Sequence, residues 1–600
     1  MCGIAGLIPL KPGALPPPIE AVRRAVEALS ARGPDAKWTG FHGNCALGTT
    51  RLAIVDRTPA ANPPILDDSG QVILLYNGEL YEADTLRKTL SDRGYKFKSR
   101  GDGEVVLAAY LEYGVRFLRE IDGMFALAIV DLREKANDKL APPRILLARD
   151  RFGEKPLLFA RAPAGIAFAS TAAALRRLVT SADIHIEALA AVVRHGFIPG
   201  GATPLKGVFR VQPGTALMIA NGEAAVYPFA ERQIYEFGKG DDLVVQFWEL
   251  LRKAIRRRAR SEAGLGLYLS GGLDSAAIAC ALSEEKINFT AYTAGFRGVP
   301  DERALAKAVA DHLHLKWNLI ELGPEILESW ESLTKEIGEP LANASVLNIY
   351  ELSKRARKDA AVVLAGEGGD ELFGGYRRER AYNAIANLRM PNIVTKTMKA
   401  LPGEAARVGR ALERAPGIGR YQELRDHVSS AEELLLPEFR KGDAVAEESL
   451  PGAATANDSD LYSYLPNDLL FRLDAATMAA SVEARAPFLD PDLADFARSL
   501  PKESRYSFLG GKKLIRRALL GRAPDAVVRG RKRGFGAPLA KWFRETTFAQ
   551  RVLLDSSACP PPLNRKGIEA LLRDHREGKR DGSLLLARAI GVELYRRSIH

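Results

Sequence analysis

The spacing of apolar residues changes character part-way along the chain. Up to about residue 210 they fall in short runs or alternate with polar ones, bounded by Gly, Asn, Asp and Pro, as in strands joined by turns. Val72-Ile73-Leu74-Leu75 is one such run, and Tyr76-Asn77-Gly78-Glu79-Leu80-Tyr81 reads as its strand ending in a Gly turn. Helical periods interrupt this part near Glu20–Ala31 and Ala83–Arg93. Val211-Gln212-Pro213-Gly214 closes it, and residues 211–240 read as a connector that includes one more strand. A helix is predicted over Asp241–Ala259. From Leu265 to about Gly375, strands alternate with helices: Phe289–Phe296, Ala304–His314, Val346–Lys358 and Ala361–Ala365. That order predicts a parallel sheet with right-handed crossovers. Beyond Tyr376 the pattern is mostly helical, and no internal repeat is visible. The expected division is 1–210, a connector 211–240, and 241–600.

Length agrees with this division, because 600 residues exceed one ordinary core. Hydrophobic residues make up 46% and charged ones 26%, the balance of a soluble globular protein. No apolar run reaches the ~18 residues of a spanning helix, and the start lacks a basic segment followed by an apolar one. No membrane partner is therefore expected. Cys2, Cys45, Cys280 and Cys559 show neither paired nor metal-type spacing, which fits a reduced, cytoplasmic setting. The net charge of +11 raises nucleic acid as a partner, with basic clusters at Arg252–Arg260 and Arg529–Arg533. The first cluster sits on a periodic helix and reads as its solvated face, so nucleic acid is not expected. The sequence leaves the oligomeric state open, a homodimer included.

Chemistry enters at the second residue. The chain begins Met1-Cys2-Gly3-Ile4-Ala5-Gly6, and removal of Met1 would leave Cys2 with a thiol and a free α-amine. Such an amine titrates near ~7.7–8.0 and can take the thiol proton, so nucleophile and base come on one residue. Asn77 and Gly78 offer a side-chain NH2 and a backbone N–H that can converge on one oxygen, as an oxyanion hole requires; a plain hairpin turn also explains Asn-Gly. Arg51, in Thr50-Arg51-Leu52-Ala53-Ile54-Val55-Asp56, has the donor fork that suits a carboxylate. Gly101-Asp102-Gly103-Glu104 places Asp102 in a turn before the helical pattern Val105–Tyr113, where it could meet a ligand amine. A surface ion pair or a helix cap explains Arg51 or Asp102 taken singly.

A second constellation lies further on. The apolar strand Gly264–Leu269 runs into Ser270-Gly271-Gly272-Leu273-Asp274-Ser275, followed by a small-residue helix from Ala276 to Leu282. Strand, Gly-Gly turn and helix start form an anion site, to which the hydroxyls of Ser270 and Ser275 add donors. No Gly-Lys-Ser/Thr closes the loop, so it is not a Walker A loop. It resembles the pyrophosphate loop of ATP pyrophosphatases. Ala361-Val362-Val363-Leu364-Ala365 then leads into Gly366-Glu367-Gly368-Gly369-Asp370-Glu371, three acids in a Gly-rich turn at the carboxyl end of a strand.

Taken in order, MCGIAG, RLAIVD, YNGELY, GDGEVVLAAY, IDGMFALAIVD and ARDRFGEKPL resemble the glutaminase domain of class II glutamine amidotransferases. With SGGLDS, GEGGDELFGGY, LPNDLL and ASVEARAPFLD, nearly the whole chain resembles the glutamine-dependent asparagine synthetase family. The resemblance implies an α+β N-terminal-nucleophile domain of two stacked antiparallel sheets between helices. An α/β domain of ATP-pyrophosphatase type follows, with a parallel sheet and a mostly helical C-terminal part. It implies Cys2 as nucleophile, Asn77 and Gly78 as oxyanion hole, Arg51 on the glutamine carboxylate, and Asp102 and Glu79 on its amino group. For the second site it implies ATP on Leu269, Ser270, Gly271, Gly272, Asp274, Ser275, Ala294, Ala365 and Gly366. Asp274 and Asp370 would stand beside Mg2+, and Glu367 would accept a proton from the attacking amine. Lys512 in Gly510-Gly511-Lys512-Lys513-Leu514 matches the segment with a catalytic lysine, Lys513 being the alternative. The implied acceptor is aspartate, with Glu339–Ser345 lining its pocket; the same architecture also serves other carboxylates.

Overall fold

The computed structural model describes residues 2–11, 13–133, 142–163, 165–179, 183–220, 223–237, 242–401, 404–426, 428–440, 456–506, 510–530, 536–555 and 560–599. Twelve strands form up to Pro228 among them: β1 (Cys2–Pro9), β2 (Ala36–His42), β3 (Cys45–Arg51), β4 (Ile65–Leu66), β5 (Val72–Leu80), β6 (Gly123–Asp131), β7 (Arg144–Arg149), β8 (Leu158–Ala162), β9 (Gly165–Ala169), β10 (Val208–Arg210), β11 (Thr215–Ala220) and β12 (Glu223–Pro228). They make two six-stranded sheets, β10-β8-β9-β1-β3-β2 and β12-β11-β7-β6-β5-β4, with antiparallel pairing throughout.

The two-residue period of a strand explains the layering. β1 sends Ile4 and Ile8 between the sheets, and Ala5 and Leu7 outward against helix Ile19–Glu27. β5 sends Ile73 and Leu75 between the sheets, and Val72, Leu74 and Tyr76 outward against helices Ala83–Asp92 and Asp102–Tyr113. A strand covered on both faces reads as an unbroken apolar run, which is why Val72–Leu75 shows no alternation.

Two local expectations change. Asn77 and Gly78 do not turn; they stay inside β5, opposite Ala126 and Phe125. A Cβ at Gly78 would come 2.5 Å from the Met124 carbonyl oxygen and 2.7 Å from Phe125 Cβ, so glycine serves close strand approach rather than a bend. Asp102 is the first residue of its helix rather than part of the preceding turn.

Helix Leu243–Arg258 enters the second half, capped by Asp242, whose carboxylate accepts from the amides of Val244 (2.9 Å) and Val245 (3.3 Å). Five strands follow, β13 (Leu265–Tyr268), β14 (Thr290–Phe296), β15 (Lys316–Leu322), β16 (Val362–Leu364) and β17 (Glu483–Arg485). They form one parallel sheet in the order β15-β14-β13-β16-β17. Leu267, Ala291, Val362 and Leu364 face a core shared with helices Leu243–Arg258, Leu273–Glu284 and Arg303–His312. Tyr292, Ala294, Val363 and Ala365 face the other core, built with helices Ser345–Ala356 and Ser583–Ile599.

The halves meet along an apolar seam in which Leu52, Ile54, Tyr81, Met124 and Phe152 pack into the same core as Ala486, Phe488 and Leu489. Buried ion pairs flank it: Arg32 with Asp474 at 2.7 Å and Arg258 with Asp490 at 2.6 Å, both members of the latter 1% exposed. The basic run Arg252–Arg260 is thus a solvated face only in part: Arg256 and Arg260 are exposed, whereas Arg258 is buried. Arg257 meets Asp490 and Asp492, and Arg252 and Arg256 meet Glu285. Of the second cluster, residues 531–533 lie outside the described residues. No helix among the described residues is long and apolar enough to cross a membrane.

Candidate active sites

The first site gathers where β1 begins and where β3 and β5 end. Antiparallel register sets Cys2 directly opposite Arg51, so the two side chains share a face. On β5 the two-residue period puts Asn77 and Glu79 on the inward face with Leu75. Cys2, Arg51, Gly78, Glu79 and Asp102 line one cleft of about 540 Å³, together with Tyr76, Ser99 and Gly101. Asn77 stands behind it: its Oδ1 accepts from the Cys2 backbone N–H at 3.1 Å, while its Nδ2 is buried with no hydrogen-bond partner. The Arg51 guanidinium is held by the 56–62 loop, donating to the Thr58 carbonyl at 2.9 Å, to the Asp56 carbonyl and to Asn62 Oδ1. Asp102 accepts from the Leu80 N–H at 2.7 Å, which ties the helix start to β5.

Burial dominates the electrostatics of this cleft. It pushes the Cys2 thiol up, against the pull of the N-terminal ammonium and Arg51. It raises Asp102, and it pushes Glu79 up to about 8 although the Arg485 guanidinium pulls the other way.

The second site lies at the carboxyl end of the parallel sheet, where the strand order reverses between β13 and β16. Open α/β sheets bind ligands at such a point. The Ser270–Ser275 loop leaves β13 and the Gly366–Asp370 loop leaves β16. Ala294 lies near the end of β14, and Thr293 Oγ1 donates to the Leu269 carbonyl at 2.6 Å. The loop closes on its own hydroxyls: Ser275 Oγ accepts from the Ser270 N–H and donates to the Gly272 carbonyl, both at 3.2 Å. Its helix starts at Leu273, earlier than expected, with no side chain capping the first amides. Amides at a helix start are the donors that anion binding uses.

Three glycines make room for charge. A Cβ on Gly366 would lie 3.1 Å from Asp274 Cβ, one on Gly369 would lie 2.6 Å from Asp274 Cγ, and one on Gly375 would lie 2.6 Å from Lys512 Cε and overlap the Asp370 carboxylate. Lys512 Nζ bridges the two acids, pairing with Asp274 and lying 2.5 Å from Asp370. Burial opposes the Lys512 charge, but the two carboxylates more than offset it and hold the ammonium above its usual range. The neighbouring lysines diverge because Lys512 adopts a left-handed conformation (φ 55°) before helix Lys513–Leu519. Lys513 is exposed and donates to the Glu503 carbonyl at 3.2 Å. Glu367 is pushed up to about 7, first by burial and then by Asp274 and Asp370, with Arg472 opposing.

Arg472 is the neighbour that motif reading missed. It is buried, chelates Asp468 through Nε (2.9 Å) and Nη2 (2.7 Å), and donates from Nη1 to Ser345 Oγ. Its signal was the i,i+4 pair Asp468/Arg472 running out of the Leu-Pro-Asn-Asp motif. The preceding segment Asp460–Leu469 is a π-helix containing Pro466, a departure that gathers at functional sites. Of the 339–345 segment, Ser345 reaches this neighbourhood, whereas Glu339 is committed to a buried ion pair with Arg210.

The asparagine synthase family profile matches residues 246–596, and that of the glutamine amidotransferase domain matches residues 1–230. The chain belongs to the asparagine synthase family. Asparagine synthetase (glutamine-hydrolyzing) 1 of Bacillus subtilis is 28% identical over 97% of this chain and 94% of its own length. Two fungal relatives carry other names: Amidase chry2 of Gibberella zeae is 25% identical over 90% of both chains, and Amidase chyE of Penicillium rubens is 24% identical over 87% of this chain and 85% of its own. The Cys2 cleft lies within the part matched as a glutamine amidotransferase domain, and the loops after β13 and β16 lie within the part matched as asparagine synthase.

Proposed function

We propose that the protein is a glutamine-dependent asparagine synthetase, with a glutaminase unit over 1–210, a connector over 211–240 and a synthetase unit over 241–600. Glutamine is hydrolysed at Cys2 through a thioester, after Met1 is removed. Its ammonia passes inside the protein to the second site. There ATP has adenylated the acceptor carboxylate; with aspartate the bound species is β-aspartyl-AMP. Ammonia displaces AMP, and the products are the amide, AMP and pyrophosphate.

The observation that carries this reading is the convergence of Asp274, Asp370 and Lys512 on one point beside the Ser270–Ser275 loop, in a chain whose other half carries Cys2. The Lys512 ammonium is placed to offset negative charge on a phosphate or a tetrahedral intermediate. Glu367, poised near neutrality, is placed to take a proton from the incoming amine. Asp274 and Asp370 supply hard carboxylate oxygens at a phosphate loop, a donor set that fits Mg2+ shared with a nucleotide. When bound, that ion would neutralise charge on the phosphates. A cavity lined from both halves, by Arg149, Leu157 and Ser170 on one side and Leu470, Ala475 and Met478 on the other, supports an enclosed passage; one is needed because free ammonia is mostly protonated, and so non-nucleophilic, at neutral pH.

Cys2→Ala tests the division of labour: glutamine-supported amidation should vanish while ammonia-supported amidation survives. Loss of both together would refute a two-site enzyme. The relatives named as amidases favour a second reading, the same machinery acting on another carboxylate. Pyrophosphate release over a panel of carboxylates, each with Mg-ATP and glutamine, separates the two. A heavy-oxygen label in the acceptor carboxylate should then appear in AMP; label in inorganic phosphate would mean an acyl-phosphate route.

A further inference from the structure

Arg485 belongs to neither site, yet it touches the frame of both. It ends β17 and is fully buried. Its backbone carbonyl accepts from the Ala365 N–H at 3.0 Å, where β16 gives way to the Gly366–Asp370 loop. Its side chain runs the other way, across the seam. Nε donates to Glu483 at 2.5 Å, and Nη1 donates to the carbonyls of Arg258 (2.9 Å) and Arg260 (2.6 Å). Nη2 reaches Glu79 of the glutamine cleft at 3.5 Å, an ion-pair distance, and has no hydrogen-bond partner. The bridge is thus short of closure: a movement of about half an ångström would convert a charge contact into a charge-assisted hydrogen bond.

The geometry assigns Arg485 as a positioning residue that couples the two sites, bringing its guanidinium to Glu79 according to the position of the loop that follows β16. This rests on the reading of the 540 Å³ cleft as the glutamine site and of the β13 and β16 loops as the nucleotide site. The register of the sheet makes the link stiff. Leu364 pairs with Arg485, and the Glu483 N–H donates to the Ala361 carbonyl at 2.8 Å, so β17 is tied to β16 at both ends. A shift of the loop is carried by paired backbone rather than by a chain of loose side chains. On the far side, Glu79 has Arg485 as its principal opposing charge, with Asp102 and Glu483 as like charges, so small changes in the bridge alter how firmly it holds an ammonium. Arg258 reinforces the link: its carbonyl receives Arg485, and its own guanidinium lies 4.3 Å over the ring of Tyr81, two residues beyond Glu79.

The test measures glutamate release against glutamine concentration in the full chain, with and without Mg-α,β-methylene-ATP, which cannot release pyrophosphate. In the wild type the nucleotide should change the KM for glutamine by about 5-fold or more, with less effect on kcat. In the Cys2→Ala chain, which cannot turn glutamine over, glutamine should change the affinity for the analogue by the same factor, and in the same direction, as the analogue changes the affinity for glutamine. The double variant Glu483→Gln, Arg485→Met removes both charges, so neither is left buried and alone. It should raise the KM for glutamine and abolish its response to the nucleotide. Arg485→Lys, which keeps the cation on a shorter reach, should recover part of the response; it also serves if the double variant does not fold. A wild-type KM indifferent to the analogue, or a double variant that keeps the full response, would overturn the assignment. If the wild type neither hydrolyses glutamine nor releases pyrophosphate from ATP, the functional reading beneath it has failed instead.

Discussion

Replacing Asn77 by Asp is the sharpest probe of the glutaminase end. Asn77 Oδ1 accepts from the Cys2 N–H, and this contact fixes which way the amide points. The Nδ2 group is consequently left buried without a partner, an arrangement that costs about 1–3 kcal/mol in the resting protein. That cost has a use if the donor awaits an oxygen that becomes negative only during reaction. Aspartate keeps the shape and the oxygen facing Cys2 while replacing the donor by an acceptor. Removing one oxyanion donor costs about 2.7–4 kcal/mol in the transition state, so kcat for glutamine hydrolysis should fall ~10²–10³-fold with KM little changed. Ammonia-supported pyrophosphate release, made at the other site, should be unaffected. The assay is glutamate release at saturating glutamine, run beside the ammonia reaction on the same preparation. A fall of less than about tenfold would mean that Nδ2 is not the donor. An equal loss of both activities would make Asn77 a structural residue.

Lys512→Met should abolish pyrophosphate release and lower stability by about 1–3 kcal/mol, because two partly buried carboxylates would then face each other; Lys513→Met should stay within about 0.5 kcal/mol of wild type, as melting curves would show. Gly375→Ala should likewise stop pyrophosphate release while sparing glutamine hydrolysis, since its Cβ would displace Lys512 and Asp370; a fully active variant would show that this packing is not needed. With Glu79 pushed up to about 8, its carboxyl is increasingly ionised as pH rises through that value, so the KM for glutamine should fall over the same range. A KM independent of pH there would remove Glu79 from the amine pocket.

Local chemistry was legible in the sequence wherever it depended on neighbours along the chain. The run Val72–Leu75 announces a strand covered on both faces, and Ser-Gly-Gly-Leu-Asp-Ser announces an anion loop. Gly78 misleads because the turn preference of Asn-Gly is local, whereas the reason for this glycine is the carbonyl of Met124 on the next strand. Arg258 misleads similarly: five basic neighbours suggest water, but its partner Asp490 arrives from 232 residues further along the chain. β17 is three residues long, too short for any period, and it is placed by pairing with β16. The choice between Lys512 and Lys513 turns on one left-handed residue at a helix start, which a pair of identical letters cannot express.

The bridge of Lys512 between Asp274 and Asp370 means that the chain brings its own counterion to the place where nucleotide binding would gather charge. Two carboxylates pressed together at a phosphate loop would ordinarily repel in the resting state and make the fold depend on a divalent ion. Here the internal ammonium relieves that repulsion, so chelating buffers should leave the melting temperature where it was. Occupation of the site is then an exchange of cations rather than the filling of a hole. The apparent affinity for metal and nucleotide together should reflect how readily this lysine gives way, and not the carboxylates alone.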